Sequence, residues 1–176
     1  MLGVGYPFAV YFMQGSISSH GFILVALSLL ALRAFTARSD LARIWRMPLL
    51  VTAAILIATT FLNADIAEKT YPALMSLAAA LTFGCTLFYP PSLIERFARL
   101  RRRDLPPAGV SYCRKVTIIW TGWLVINAAI SIGLALWGSL ALWTLWTGLL
   151  SYLAMGLLFA SEYAFRHLMP GYRLSR

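Results

Sequence analysis

Between Lys115 and Glu162 the chain carries no Asp, Glu, Lys or Arg. An uncharged apolar run of that length has few structural solutions. A hydrocarbon core about 30 Å thick is crossed by roughly 20 helical residues. Inside it every backbone polar group must be satisfied within the segment, which an α-helix achieves. The run therefore predicts two membrane helices, at about 116–137 and 140–162, separated by a turn at Gly138-Ser139. Three further apolar stretches of spanning length lie at about 17–35, 47–64 and 71–89. Pro48 and Pro72 stand near the starts of the last two, where a missing N–H does least harm. The whole chain is 60% apolar and 12% charged, against about 45–50% and about 25% in soluble domains. The expectation is an all-α, polytopic membrane protein of five spans, forming a single domain over 1–176. Residues 1–14, broken by Gly3, Gly5 and Pro7, are too short to cross and are expected at the surface or half inserted. No Lys or Arg precedes Arg33, so the basic start of a secretory signal is missing and the first hydrophobic segment is expected to stay.

The one long polar segment is 90–117, PPSLIERFARLRRRDLPPAGVSYCRKVT. Two proline pairs, Pro90-Pro91 and Pro106-Pro107, bracket a short helix predicted over 92–103. Ser92 followed by Glu95 has the spacing of a capping box. Leu93, Ile94, Phe97 and Leu100 share one helical face, and Arg96, Arg99, Arg101, Arg102 and Arg103 occupy much of the rest. An apolar stripe beside clustered arginines is the pattern of a helix lying in a membrane interface.

Charge placement fixes the expected orientation. With five spans, the 35–46 link, the polar segment and the C-terminal tail fall on one side. Together with Arg33 they hold 14 of the 15 basic residues and four of the six acids, leaving Lys69 with Asp65 and Glu68 opposite. Basic loops stay in the cytoplasm, so the N-terminus is expected outside and the C-terminus inside. A nucleic-acid partner, which a +9 charge would otherwise invite, is not expected, because the charges lie in the gaps between spans.

Candidate sites are few. The arginine cluster either anchors the helix on anionic lipid headgroups, at about 1 kcal/mol per basic residue, or docks an acidic partner. Asn127 lies near the middle of the fourth span, with Thr121 and Thr117 on about the same side. Such groups bond a neighbouring helix or line a polar site. Glu162 and Arg166 have the i,i+4 spacing of an ion pair. Ser76, Ala80 and Gly84 form a small-residue ladder that admits a close helix neighbour, within the chain or between copies. Trp45, Trp137 and Trp143 suit an aromatic belt, and Trp120, Trp123 and Trp146 suit packing between helices. His20 and His167 fall near opposite faces, and Cys85 and Cys113 form no motif. No metal spacing, nucleophile–base set or phosphate-cradling loop is visible, so neither an enzyme nor a metal or other cofactor is expected.

YPPSLIERFARL, DLPP, YCRKVTIIW, INAAIS and WTLWTGLLSYLAMGLLFASEY, within 89–163, resemble a family of small uncharacterised bacterial inner-membrane proteins. Members are found beside fatty-acid-synthase-like genes of aryl-polyene or xanthomonadin type. The resemblance is specific in the C-terminal half and loose before it, and it brings no catalytic residues. It implies a non-enzymatic membrane component of a lipid- or polyene-type assembly in the bacterial inner membrane. Its arginine helix would then meet an acyl carrier protein or ketosynthase, because carrier proteins are acidic and charge complementarity speeds encounter. The alternative is a small transporter or lipid-handling protein for an acyl product, with Asn127 and Thr121 along its path.

Overall fold

The structure is a computed structural model that describes 50–58, 61, 64–101 and 103–168, with single residues between 21 and 31. Residues 1–14, His20, the 35–46 link and Arg102 lie outside the described residues, as do the side chains of Arg101 and His167. All regular structure among the described residues is helical. The residues described between 21 and 31, and those at 50–58 and 61, are helical and fall within the first two expected spans. The continuous part contains α1 (Ala64–Phe88), α2 (Leu93–Arg101), α3 (Pro107–Trp137), α4 (Leu140–Leu145), a π-helical turn (Trp146–Leu150) and α5 (Ser151–Leu168). Among the described residues, three helical stretches are long and apolar enough to cross a membrane: Ala67–Phe88, Pro107–Trp137 and Leu140–Arg166.

The distribution of side chains is that of a protein solvated by lipid. Thr52, Thr82, Thr86, Thr117, Asn127, Ser131, Thr147 and Ser151 are buried, whereas Ile118, Ile119, Ile126, Leu153, Leu157 and Phe159 are exposed. Such a pattern would be costly in water, where large apolar patches mark contact surfaces. In a bilayer the tails supply no hydrophobic drive between helices, and small or hydroxyl-bearing residues make the interfaces.

Boundaries shift from expectation for local reasons. α1 begins seven residues before the expected start at 71, so Asp65, Glu68 and Lys69 lie in its first turns, not in a loop, and Glu68 is buried. Pro72 sits within α1, in its third turn. Proline has no N–H to give to the carbonyl four residues before it. α3 begins at Pro107, nine residues before the expected 116, because Pro106 and Pro107 are the N-cap and first residue of a helix. Proline's fixed φ is preorganised there, and the absent N–H would be unsatisfied anyway. With 31 residues, α3 is about 46 Å long, which exceeds the hydrocarbon core. Tyr112, Arg114 and Lys115 sit in the overhang at the end of the bundle that carries α2.

At the opposite end the chain turns at Gly138-Ser139, as expected. A Cβ on Gly138 would lie 2.6 Å from the Leu134 carbonyl oxygen, so only glycine fits that approach. Ser139 Oγ then accepts from Leu142 N–H and caps α4. Trp143 is fully buried there, in a cluster with Leu56, Ala67, Tyr71 and Leu74. Its Nε1 donates to the Lys69 carbonyl at 3.0 Å. It belongs to the core and not to an aromatic belt, whereas Trp137, 84% exposed, keeps the belt position.

The ladder Ser76, Ala80 and Gly84 serves packing within the chain, since α1 lies closely along α3. A Cβ on Gly84 would stand 3.4 Å from the Thr121 methyl, ordinary contact with nothing larger admitted. By contrast, the backbones of α3 and α5 scarcely approach one another.

Candidate functional site

The arginine helix is built differently from its sequence pattern. α2 spans Leu93–Arg101, shorter than the expected 92–103, and the capping box does not form. Ser92 Oγ is buried without a partner among the described residues. The N–H groups of Leu93 and Ile94 instead donate to Thr86 Oγ1 (2.9 Å) and Thr117 Oγ1 (3.4 Å). Hydroxyls from α1 and α3 thus satisfy two of the amides left open at a helix start, and they fasten α2 to both helices. Its apolar stripe divides along its length: Leu93 is fully buried, while Phe97 and Leu100 are exposed. The first turn belongs to the bundle and the second projects from it.

Two of the five arginines are occupied internally. Arg96 Nε donates to the Pro91 carbonyl at 2.8 Å and its Nη2 to that of Tyr89 at 3.4 Å. Arg99 pairs with Glu95 at 2.7 Å and donates to the Arg103 carbonyl at 2.9 Å. Glu95, buried at 6% exposure, is therefore held by the charge one turn on. Arg114, outside the expected cluster, donates to the Leu87 carbonyl at 3.0 Å. α1 has no basic residue in its own last turn, and this guanidinium supplies the charge that its C-terminal carbonyls favour. Arg103 is exposed.

The three residues expected as one intramembrane polar site make different bonds: Asn127 joins three elements, while Thr117 and Thr121 lie on the α2 side of it. Asn127 Nδ2 donates to Ser76 Oγ at 2.9 Å, and its Oδ1 accepts from Trp146 Nε1 at 3.1 Å. One side chain joins α1, α3 and the π turn, and both ends of its amide are engaged. Thr117, ten residues away and so about 15 Å along the helix, caps α2 and donates to the Cys113 carbonyl. Thr121 donates to the Thr117 carbonyl and turns its methyl to Gly84.

Between α3 and α5, near the α2 end, lies a groove of about 360 Å³. Val116, Ile119, Trp120, Leu158 and Phe165 form its walls, and Tyr112, Lys115, Ser161 and Glu162 its polar end. Glu162 and Arg166 make the expected pair, with Nη2 donating to both carboxylate oxygens at 2.7 and 2.6 Å. Tyr112 Oη also donates to Glu162, at 2.8 Å, and its ring stacks on Phe165 with centroids 6.2 Å apart. Deeper, Trp120 meets Phe159 edge-on at 5.5 Å. Tyr112 and Lys115 carried no site signal in the sequence. Only α3's early start, marked by the proline pair, places them one turn apart on a helix. Neither a protein-family model, nor a curated protein, nor a solved structure matches this chain.

Proposed function

We propose that this multi-span protein is a non-catalytic component of a bacterial inner-membrane biosynthetic assembly handling fatty-acid or polyene chains. In this reading it holds an acidic soluble protein, an acyl carrier protein or ketosynthase, at its cytoplasmic face. The same reading has the N-terminus outside and the C-terminus inside, from the 14 basic residues that five spans would put on the side of α2. The observation that carries the proposal is the mounting of α2. Two hydroxyl caps from separate helices and the internal bonds of Arg96 and Arg99 make its first turns a fixed shelf. In the sequence Arg101, Arg102 and Arg103 follow that shelf, and of the flanking described residues Leu100 and Arg103 are exposed. A helix already fastened to the bundle loses little entropy on meeting an acidic partner, and complementary charge raises the encounter rate.

Arg96 and Arg99 hold the shelf, and Arg101, Arg102 and Arg103 make the contact. Charge reversal at Arg102 and Arg103 is expected to lower capture of the carrier protein from membranes at least tenfold. A photoreactive side chain at Arg103 is expected to crosslink to it. Undiminished capture by the reversed variant, with crosslinks to lipid alone, would reduce α2 to a lipid anchor.

A further inference from the structure

The groove between α3 and α5 takes no part in that docking, and its chemistry points to a different ligand. Its polar groups gather at one end, around the stacked pair of Tyr112 and Phe165. Tyr112, Lys115, Ser161 and Glu162 lie at the α2 end, whereas Ile119, Trp120 and Leu158 lie one turn deeper along helices that enter the apolar span. An amphiphile has the same gradient over the same length, with its head at the interface and its chain below.

The charges at the head end select a sign. Arg166 is neutralised by its bidentate pair with Glu162. That leaves the exposed Lys115 ammonium, which has no carboxylate partner among the described residues. The rim therefore carries one uncompensated positive charge. Tyr112 and Ser161 spend their hydroxyl hydrogens on Glu162 and on the Leu158 carbonyl, so Lys115 is the donor left for an anionic head. The volume of about 360 Å³ is near the low end of ligand sites, which run about 300–1,000 Å³, and suits one chain more than two. The groove persists because α3 and α5 do not close on each other: Tyr112 on Phe165 and Trp120 on Phe159 bridge them.

We infer that this groove binds a single acyl chain with an anionic head, as in a free fatty acid, the carboxylate at Lys115 and the chain along Ile119, Trp120 and Leu158. Trp120 in the wall provides the readout. The full chain is placed in phosphatidylcholine nanodiscs and titrated with a fatty acid brominated on its chain, which quenches nearby indoles. Saturable quenching is expected, absent in Trp120→Phe. Lys115→Glu should weaken the apparent affinity about tenfold or more, the effect of losing one charge-assisted contact. Lys115→Gln should fall between the two. Lys115 is exposed, so both substitutions leave the fold intact and carry the test even if Trp120→Phe does not fold. Equal saturation in all three Lys115 forms would overturn the assignment. So would quenching that rises linearly and matches that from brominated phosphatidylcholine, since the groove would then hold bulk lipid only. Either result leaves capture of a carrier protein by Arg102 and Arg103 untouched, so the two proposals fail separately.

Discussion

α3 meets two helices in opposite ways. Against α1 it packs through small residues: Ser76, Ala80 and Gly84 bring the backbones together, with Thr121's methyl over Gly84 and Asn127 bonded to Ser76. Against α5 it is held off, and the gap is spanned by ring pairs and by Tyr112 on the Glu162–Arg166 pair. In a bilayer, association without hydrophobic drive rests on close van der Waals contact and interhelical hydrogen bonds. The first interface has both, and the second trades contact for a groove. One face of α3 thus builds the protein and the other leaves a groove, the one proposed above to hold an acyl chain.

If that division is right, enlarging the tight face should cost most. Gly84→Leu forces a branched side chain against Thr121, where a Cβ alone already stands at 3.4 Å. Overpacking of this kind costs about 1–3 kcal/mol, so a clear fall in the unfolding midpoint in detergent is expected. Gly84→Ala should be neutral or slightly stabilising, because its methyl just fits and alanine is the better helix former. Tolerance of leucine would mean that α1 and α3 are not closely packed.

Asn127→Leu tests the polar part of the same interface. It strands the Trp146 indole N–H, while Ser76 Oγ still donates to the Pro72 carbonyl at 3.1 Å. A loss of about 0.6–2 kcal/mol is expected, the range for interhelical hydrogen bonds in membranes. Ser76→Ala should cost less, because Trp146 stays paired. Equal losses would show that Trp146 contributes nothing to the junction.

The all-helical class was legible in the chain because lipid forces long apolar helices, and the 138–139 turn was legible because glycine marks it. The depth of Asn127 also foretold a bond to a neighbouring helix. What was hidden depends on distant partners. Ser92 has the spacing of a cap, yet Thr86 and Thr117 do the capping from six residues before and 25 residues after it. The five arginines look alike in sequence; Arg99 has in Glu95 the i,i+4 partner that spacing allows, but the carbonyls that engage Arg96 appear only once the corner is folded. Trp143 beside a turn reads as a belt residue until Leu56 and Tyr71 close around it. The π turn at 146–150, which carries the indole that meets Asn127, has no signature in WTGLL beyond one glycine.

The open face should yield the smallest change in stability, and its size distinguishes a strut from a seal. Tyr112→Phe keeps the ring on Phe165 and removes only the hydroxyl that donates to Glu162. Glu162 remains paired with Arg166, so no buried carboxylate is stranded, and a loss of about 0.5–1.5 kcal/mol is expected for one hydrogen bond. A double-mutant cycle with Glu162→Gln should show coupling between the two positions, since they touch. Additive effects would mean that the bond is not made. A loss as large as that of Gly84→Leu would mean that this face, too, is packed for stability. The groove would then be a flaw in that packing, because a face that holds a ligand need only be kept apart, and one hydroxyl beside two ring pairs is enough for that.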